Sequence, residues 1–402
     1  MTKHERPIWD RGEAIDAEML AFTVGDDWLE DRRLLLHELA GSRVHAQALA
    51  RAGVITADDE RRILAGLAEL ERGHRAAEWT VESYDEDAHS AVERRLTALI
   101  GEAGKRLHTG RSRNEQIALC VRLWLREAIA ETSRAAQRLV DACGTFASVH
   151  GALPVPGYTH LRRAMPSTLA DWIGAHGRAF ELDLAELAHA RMRSNRCPLG
   201  TGAGYGVPLP LDRDWEAREL GFEAPEEPVT FVQHSRGRAE LAYLTALEAL
   251  ALDLGKLAAD VWLFTSQEFG FLRLAPELTT GSSLMPQKRN PDAVELTRAR
   301  SRTIVAARAE LVDLLRDLPS GYHRDFQLVK APLFRAHESM QAQLALWPRL
   351  VEGLTPDEAR LQAATADPAL RATERVLQAT RAGVPFRDAY RAESKAASVR
   401  RE

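Results

Sequence analysis

The chain has 402 residues, enough for two or three domains or for one large core with smaller ends. With 45% apolar and 28% charged residues it has the balance of a globular protein, and a net charge of -5 speaks against a protein held on nucleic acid by bulk charge. No run of about 18 apolar residues occurs, so no membrane span is expected.

The start, Met1-Thr2-Lys3-His4-Glu5-Arg6, has no apolar run behind it and reads without a signal peptide. Between Pro7 and Pro154 there is no proline, and the good helix formers Ala, Leu, Arg and Glu dominate. Helices are predicted over 26–53, 57–73 and 87–100. Thr56, ahead of Asp58-Asp59-Glu60, is placed to cap the second with a capping box. These elements make a helical N-terminal domain over residues 1–110.

Over 113–149, Ile117, Val121, Trp124, Ala128, Ala135 and Leu139 recur at steps near 3.6, the stripe of a core-facing helix. Residues 166–193 repeat that pattern from Pro166. The patch Gly200-Thr201-Gly202-Ala203-Gly204-Tyr205-Gly206 lacks G-x-G-x-x-G spacing and follows no predicted strand, which excludes a dinucleotide site. A short helix at 211–219 and a proline-punctuated loop at 223–229 follow. Residues 234–268 carry Leu241, Leu244, Leu247, Leu250, Leu254, Leu257, Val261 and Phe264, which predicts a long, largely buried bundle helix. Further helices run from Asn290-Pro291 to about Leu315 and from about 325 to 352. Short ones follow Pro356, Pro368 and Pro385. Period-two alternation is almost absent. The predicted fold is therefore all-α: an elongated central bundle of long helices over 111–354, with small helical domains at the N-terminus and over 355–402.

Four polar blocks interrupt this helical background. Thr280 to Asp292 reads as a loop running into a helix, with small hydroxyls at Ser282 and Ser283, Lys288 just before the helix, and Asn290 and Pro291 at its start. Leu107 to Gln116 holds Ser112, Arg113 and Asn114 ahead of a long helix, and Ser112 or Asn114 can cap it. Pro156 to Pro166 is a loop with Thr159 and His160. Gly321 to Lys330 holds Tyr322, Gln327 and Lys330. Taken singly, each reads as readily as a cap or a solvated loop. Together they offer N–H groups, hydroxyls, amides, two of the chain's six lysines, arginines and a histidine, with no metal cluster. That inventory suits a small polycarboxylate. Cys120, Cys143 and Cys197 are widely spaced without a C-x-x-C pair, so neither disulfides nor zinc are expected, and a cytoplasmic location fits.

With Glu86-Asp87-Ala88-His89-Ser90, these blocks resemble the argininosuccinate lyase family of the aspartase/fumarase superfamily over roughly residues 25–390. The resemblance implies a homotetramer with a shared bundle core and active sites drawn from three subunits. It implies a cofactor-free anti β-elimination that releases fumarate from an N-substituted aspartate. By resemblance Ser282 is the base, Lys288 and Asn290 hold the reacting carboxylate with Ser112, Asn114 and Thr159, and His160 serves the acid side. Arg113 and Ser283 fall within the matching blocks. His89, Tyr322, Gln327 and Lys330 line the amino-acid part of the substrate, and Asp31 and Arg236 match family positions.

Several family positions are changed. Asp27 stands where the family has a serine before its Asp-x-Arg. Trp9-Asp10-Arg11-Gly12 replaces an N-terminal signature, and Pro228-Val229-Thr230-Phe231 replaces a polar segment before Arg236. His323-Arg324-Asp325 follows Tyr322, Leu328-Val329 replaces a polar run, and the C-terminus reads as short. These changes are expected on the side that reads the leaving group, so release of an amine other than arginine is the main alternative. A noncatalytic crystallin-like relative is a second alternative. A nucleotide-binding module is the weakest, for want of a P-loop or basic patch.

Overall fold

The computed structural model describes residues 15–399. The changed signature at Trp9 to Gly12 and the first residues lie outside that range. Of the described residues 69% are helical, as the periodicity requires, and all-α describes the fold. It divides into two compact units. One holds residues up to Ser133 with Ala185–Glu248 and Thr303–Ser339. The other holds Arg134–Leu184, Ala249–Arg302 and the chain from Met340.

Helices α1 (Ala17–Val24), α2 (Asp27–Asp31), α3 (Leu35–Arg51), α4 (Ala57–Arg75) and α5 (Ala88–Ile100) open the first unit. Local chemistry sets their starts. Asp16 accepts from Met19 N at 2.8 Å and Asp87 from Ser90 N at 2.7 Å, while Thr56 and Asp59 form the expected capping box. Each such cap contributes ~1 kcal/mol. Leu35, Leu39, Leu49, Ile63, Leu67 and Leu96 close a core of α3, α4 and α5. Helix α6 (Arg113–His150) follows. Ser112 caps it, accepting from Asn114 N at 3.2 Å, while Glu115 reaches back to Ser112 N at 3.3 Å.

Residues 154–168 depart from expectation. Strands β1 (Pro154–Thr159) and β2 (Arg162–Thr168) form an antiparallel hairpin, and α7 (Leu169–Arg193) starts three residues after Pro166. Pro166 supplies no N–H, and Val155, Thr159 and Thr168 are β-branched, so pairing of 154–159 with 162–168 satisfies this stretch better than a helical turn. Thr168 is the helix cap, accepting from Asp171 N at 3.1 Å.

Next come β3 (Arg196–Cys197), α8 (Arg213–Glu219), β4 (Ala224–Pro225), which pairs with β3, and α9 (Phe231–His234). The long α10 (Arg238–Phe264) follows. Strand β5 (Leu272–Leu274) pairs antiparallel with the later β8 (Leu354–Pro356). Strands β6 (Thr280–Gly281) and β7 (Arg289–Asn290) pair across the loop between them. Helices α11 (Asp292–Leu315), α12 (Lys330–Glu352), α13 (Glu358–Thr365), α14 (Ala372–Arg381) and α15 (Phe386–Val399) complete the chain.

Within the first unit, Trp124 of α6 meets Phe334 and His337 of α12 edge-on at 4.6 and 5.1 Å. Tyr243 of α10 ties the same helices by hydrogen bonds to Thr132 at 2.7 Å and His337 at 2.8 Å. Within the second, Trp172 of α7 packs on Phe264 of α10, and Trp347 of α12 donates to Thr297 of α11 at 2.8 Å. These buried hydroxyls and indoles are thus paired, as a low-dielectric core demands. Among the described residues, no helix is long and apolar enough to cross a membrane.

Candidate active site

The first unit holds a cavity of about 140 Å³ lined by charged side chains from widely separated parts of the sequence. It brings together Asp31, His89, Arg113, Asn114, Arg236, Tyr322, Gln327 and Lys330, with Ser112 beside it at the cap of α6. Lys330 is 2% exposed and lies between two carboxylates, Asp27 at 2.7 Å and Asp31 in closer contact. Burial disfavours its charge, but Asp31 and Asp27 outweigh burial and raise its affinity for the proton. One ammonium cannot neutralise both acids. Burial, with the charge of Asp31 adding to it against the opposing pull of Lys330, pushes the Asp27 carboxyl up to about 6.

His89 is buried, with Nδ1 2.6 Å from Glu38. Burial alone would lower its pKa, but the Glu38 carboxylate prevails and holds it raised. Glu38 is in turn held low despite burial by His89 and Arg111. His89 is therefore set as a cation on the cavity wall. Arg113 pairs with Asp87 at 3.1 Å and Glu86 at 3.6 Å, and donates to Ser90 at 2.6 Å. Gln327 donates to the carbonyls of Thr23 and Val24 at 3.1 and 3.0 Å. Arg236 is buried, its guanidinium 5.1 Å from the Phe326 ring and 5.8 Å from Tyr322, and its Nε and Nη1 have no hydrogen-bond partner.

A second buried polar cluster supports the Leu107–Gln116 block from below. Glu115 accepts from Gly202 N at 2.7 Å, which ties the glycine-rich patch to the start of α6. Glu216 is fully buried with both carboxyl oxygens unpartnered, 3.9 Å from His45 Nδ1. Burial and the nearby Glu115 push Glu216 up to about 8, so it is neutral at pH 7.

The second unit holds Thr159, His160, Ser282, Ser283, Lys288 and Asn290. His160 and Leu161 form the two-residue turn of the β1–β2 hairpin, at φ 54° and 56°. Both positions require left-handed backbone, which Asn-Gly supplies at little strain. A histidine and a leucine there cost ~1–3 kcal/mol each, strain of the kind concentrated at functional sites. Leu161 is 68% exposed, so no apolar packing of its own explains its presence.

The β6–β7 pairing, with Thr280 donating to Asp292 at 2.5 Å and Asn290 to the Gly281 carbonyl at 3.4 Å, closes the serine loop at its base. Within it the backbone N–H groups of Met285 and Leu284 point at Ser282 Oγ, at 3.1 and 3.4 Å. Lys288 and Ser283 are exposed, and Leu284 is 84% exposed at the loop tip.

Sequence reasoning placed Asp27 among the changed positions and missed it as a cavity residue. It also missed Glu86, Asp87, Arg324 and Phe326. Asp87 was legible as the cap of α5, and its link to Arg113 is the part that needed the fold. Of the other changes, Phe231 and Leu328 do not line the cavity, and Leu328 is 59% exposed.

The sequence matches the lyase family over residues 13–306. Argininosuccinate lyase of Stenotrophomonas maltophilia is 44% identical over 389 residues, 96% of this chain and 89% of that protein. The enzymes of the same name from Sorangium cellulosum and Xylella fastidiosa are 43% and 42% identical over 386 and 395 residues. They cover 96% and 98% of this chain, and 89% and 88% of their own lengths. Among solved structures, EDDS lyase in complex with formate superposes with a TM-score of 0.80 at 22% identity, over 95% of this chain and 76% of that one. A Mesorhizobium fumarate lyase gives 0.76 at 21% identity, over 95% and 86%. At that identity the structures speak for the fold. The family match and these relatives define a carbon–nitrogen lyase. The chain belongs to the argininosuccinate lyase family.

Proposed function

We propose that the protein cleaves argininosuccinate into arginine and fumarate in the cytoplasm, as a step of arginine biosynthesis. The observation that carries the reading is the Ser282 loop. A serine is a poor base in water, and two backbone N–H groups aimed at its Oγ stabilise the oxyanion form that proton abstraction needs. Ser282 removes a proton from the carbon next to the substrate carboxylate. The resulting aci-carboxylate carries two negative charges, held by Lys288 and Asn290 with Thr159, Ser112 and Asn114. Each preorganised donor there is worth ~3 kcal/mol. The C–N bond then breaks on the opposite face, fumarate forms, and the departing nitrogen takes a proton on the side served by His160. The first-unit cavity, with His89, Arg113, Arg236, Tyr322, Gln327, Lys330 and Asp31, holds the amine that leaves. No cofactor or metal takes part. Copies of the chain assemble as a homotetramer whose active sites each combine blocks from three subunits.

Fumarate absorbance during turnover of argininosuccinate tests this reading. Ser282→Ala should abolish turnover while leaving the oligomer, measured by light scattering, intact. Undiminished turnover by that variant would remove Ser282 as the base. A second reading, release of a different amine, is favoured by the shared Lys330, and a panel of N-substituted aspartates in the same assay separates the two.

A further inference from the structure

Besides His89, which Glu38 holds, four positive groups line the first-unit cavity. Arg113 is held by Asp87 and Glu86, and Arg324 donates to the Thr23 carbonyl at 2.8 Å. Lys330 is enclosed by Asp27 and Asp31. Arg236 has two N–H-bearing nitrogens without a partner and His89 has one, Nε2, so Arg236 offers a carboxylate the larger number of free donors. The Lys330 end is different in sign. Two carboxylates meet one ammonium there, which leaves a surplus negative charge in a buried place. An uncompensated buried charge of this kind is costly until a counter-charge arrives.

We infer that Asp27 is a specificity-determining residue that takes the ammonium group of the leaving amine, opposite a carboxylate on Arg236. The cavity then fits an α-amino acid as a zwitterion, with the negative end at Arg236 and the positive end at Asp27. A serine at position 27 would leave Lys330 paired with Asp31 alone, without the surplus charge. Asp27 therefore turns this end of the cavity from neutral to acidic. The inference rests on the proposed placement of the amine in this cavity, and a binding measurement tests it separately from the reaction.

The experiment is calorimetric titration of the whole protein, and of its Asp27→Asn and Asp27→Ser variants, with L-arginine and with 5-guanidinopentanoate, which lacks the α-ammonium. The wild-type protein should prefer arginine by about 30-fold, the discrimination expected from losing one charged partner. In both variants that preference should collapse to within a few-fold while 5-guanidinopentanoate binds undiminished. No preference in the wild-type protein, or a preference that survives in both variants, overturns the inference. Turnover of argininosuccinate by the wild-type protein reports on the reaction alone. A preserved binding preference without turnover would sink the proposed reaction and leave the role of Asp27 standing.

Discussion

Replacing Glu216 with glutamine should stabilise the protein, and by an amount that depends on pH. The side chain is fully buried with both oxygens unpartnered, and burial lifts its carboxyl to about 8 from the unfolded value of 4.5. Between those two values the folded chain holds a proton that the unfolded chain has released. Stability from this group therefore falls as pH rises through the window and levels off above about 8. At 1.36 kcal/mol per unit, the penalty at pH 7 is ~3 kcal/mol, and at pH 5 it is under ~1 kcal/mol. Glutamine has the same shape, carries no charge and can donate to His45 Nδ1, so Glu216→Gln removes the penalty. Urea unfolding of both proteins at pH 5, 7 and 8.5 measures the gap. It should be small at pH 5 and grow in favour of glutamine toward pH 8.5. A gap that stays constant with pH, or a glutamine protein less stable at pH 8.5, would refute the assignment of a buried neutral carboxyl.

Other outcomes follow from the same geometry. Lys330→Met should destabilise by ~3–5 kcal/mol, because Asp27 and Asp31 lose their shared counter-ion. That loss should ease as pH falls and the aspartates protonate, and adding Asp27→Asn should recover part of it, both read by urea unfolding. Leu161→Gly should raise stability by ~1 kcal/mol by relieving the left-handed strain at φ 56°. A fall in its unfolding midpoint would show that the leucine side chain packs usefully. Ser112→Ala should cost ~1 kcal/mol through loss of the α6 cap and also slow fumarate release, whereas unaltered kinetics would confine Ser112 to capping.

The sequence by itself determined the long helices, because a 3.6-residue apolar period leaves few other ways to bury Leu241 through Phe264. It also determined the cap at Thr56, whose partner lies three residues away, and narrowed the α6 cap to Ser112 or Asn114, between which the structure selects Ser112. The polar blocks were legible because they interrupt that periodicity. The hairpin at 154–168 was not, since its strands are short and its turn lacks the Asn-Gly signal. The tertiary structure alone decided the chemistry of the cavity. Lys330 meets Asp31 across 299 positions of sequence, and no local pattern encodes such a pair. The environment then gave each acid its state: Glu38, beside His89 and Arg111, is held ionised, while Glu216, buried near Glu115, keeps its proton. Two glutamates of one chain differ in charge because burial taxes the ionised form and only folding supplies, or withholds, the counter-charge.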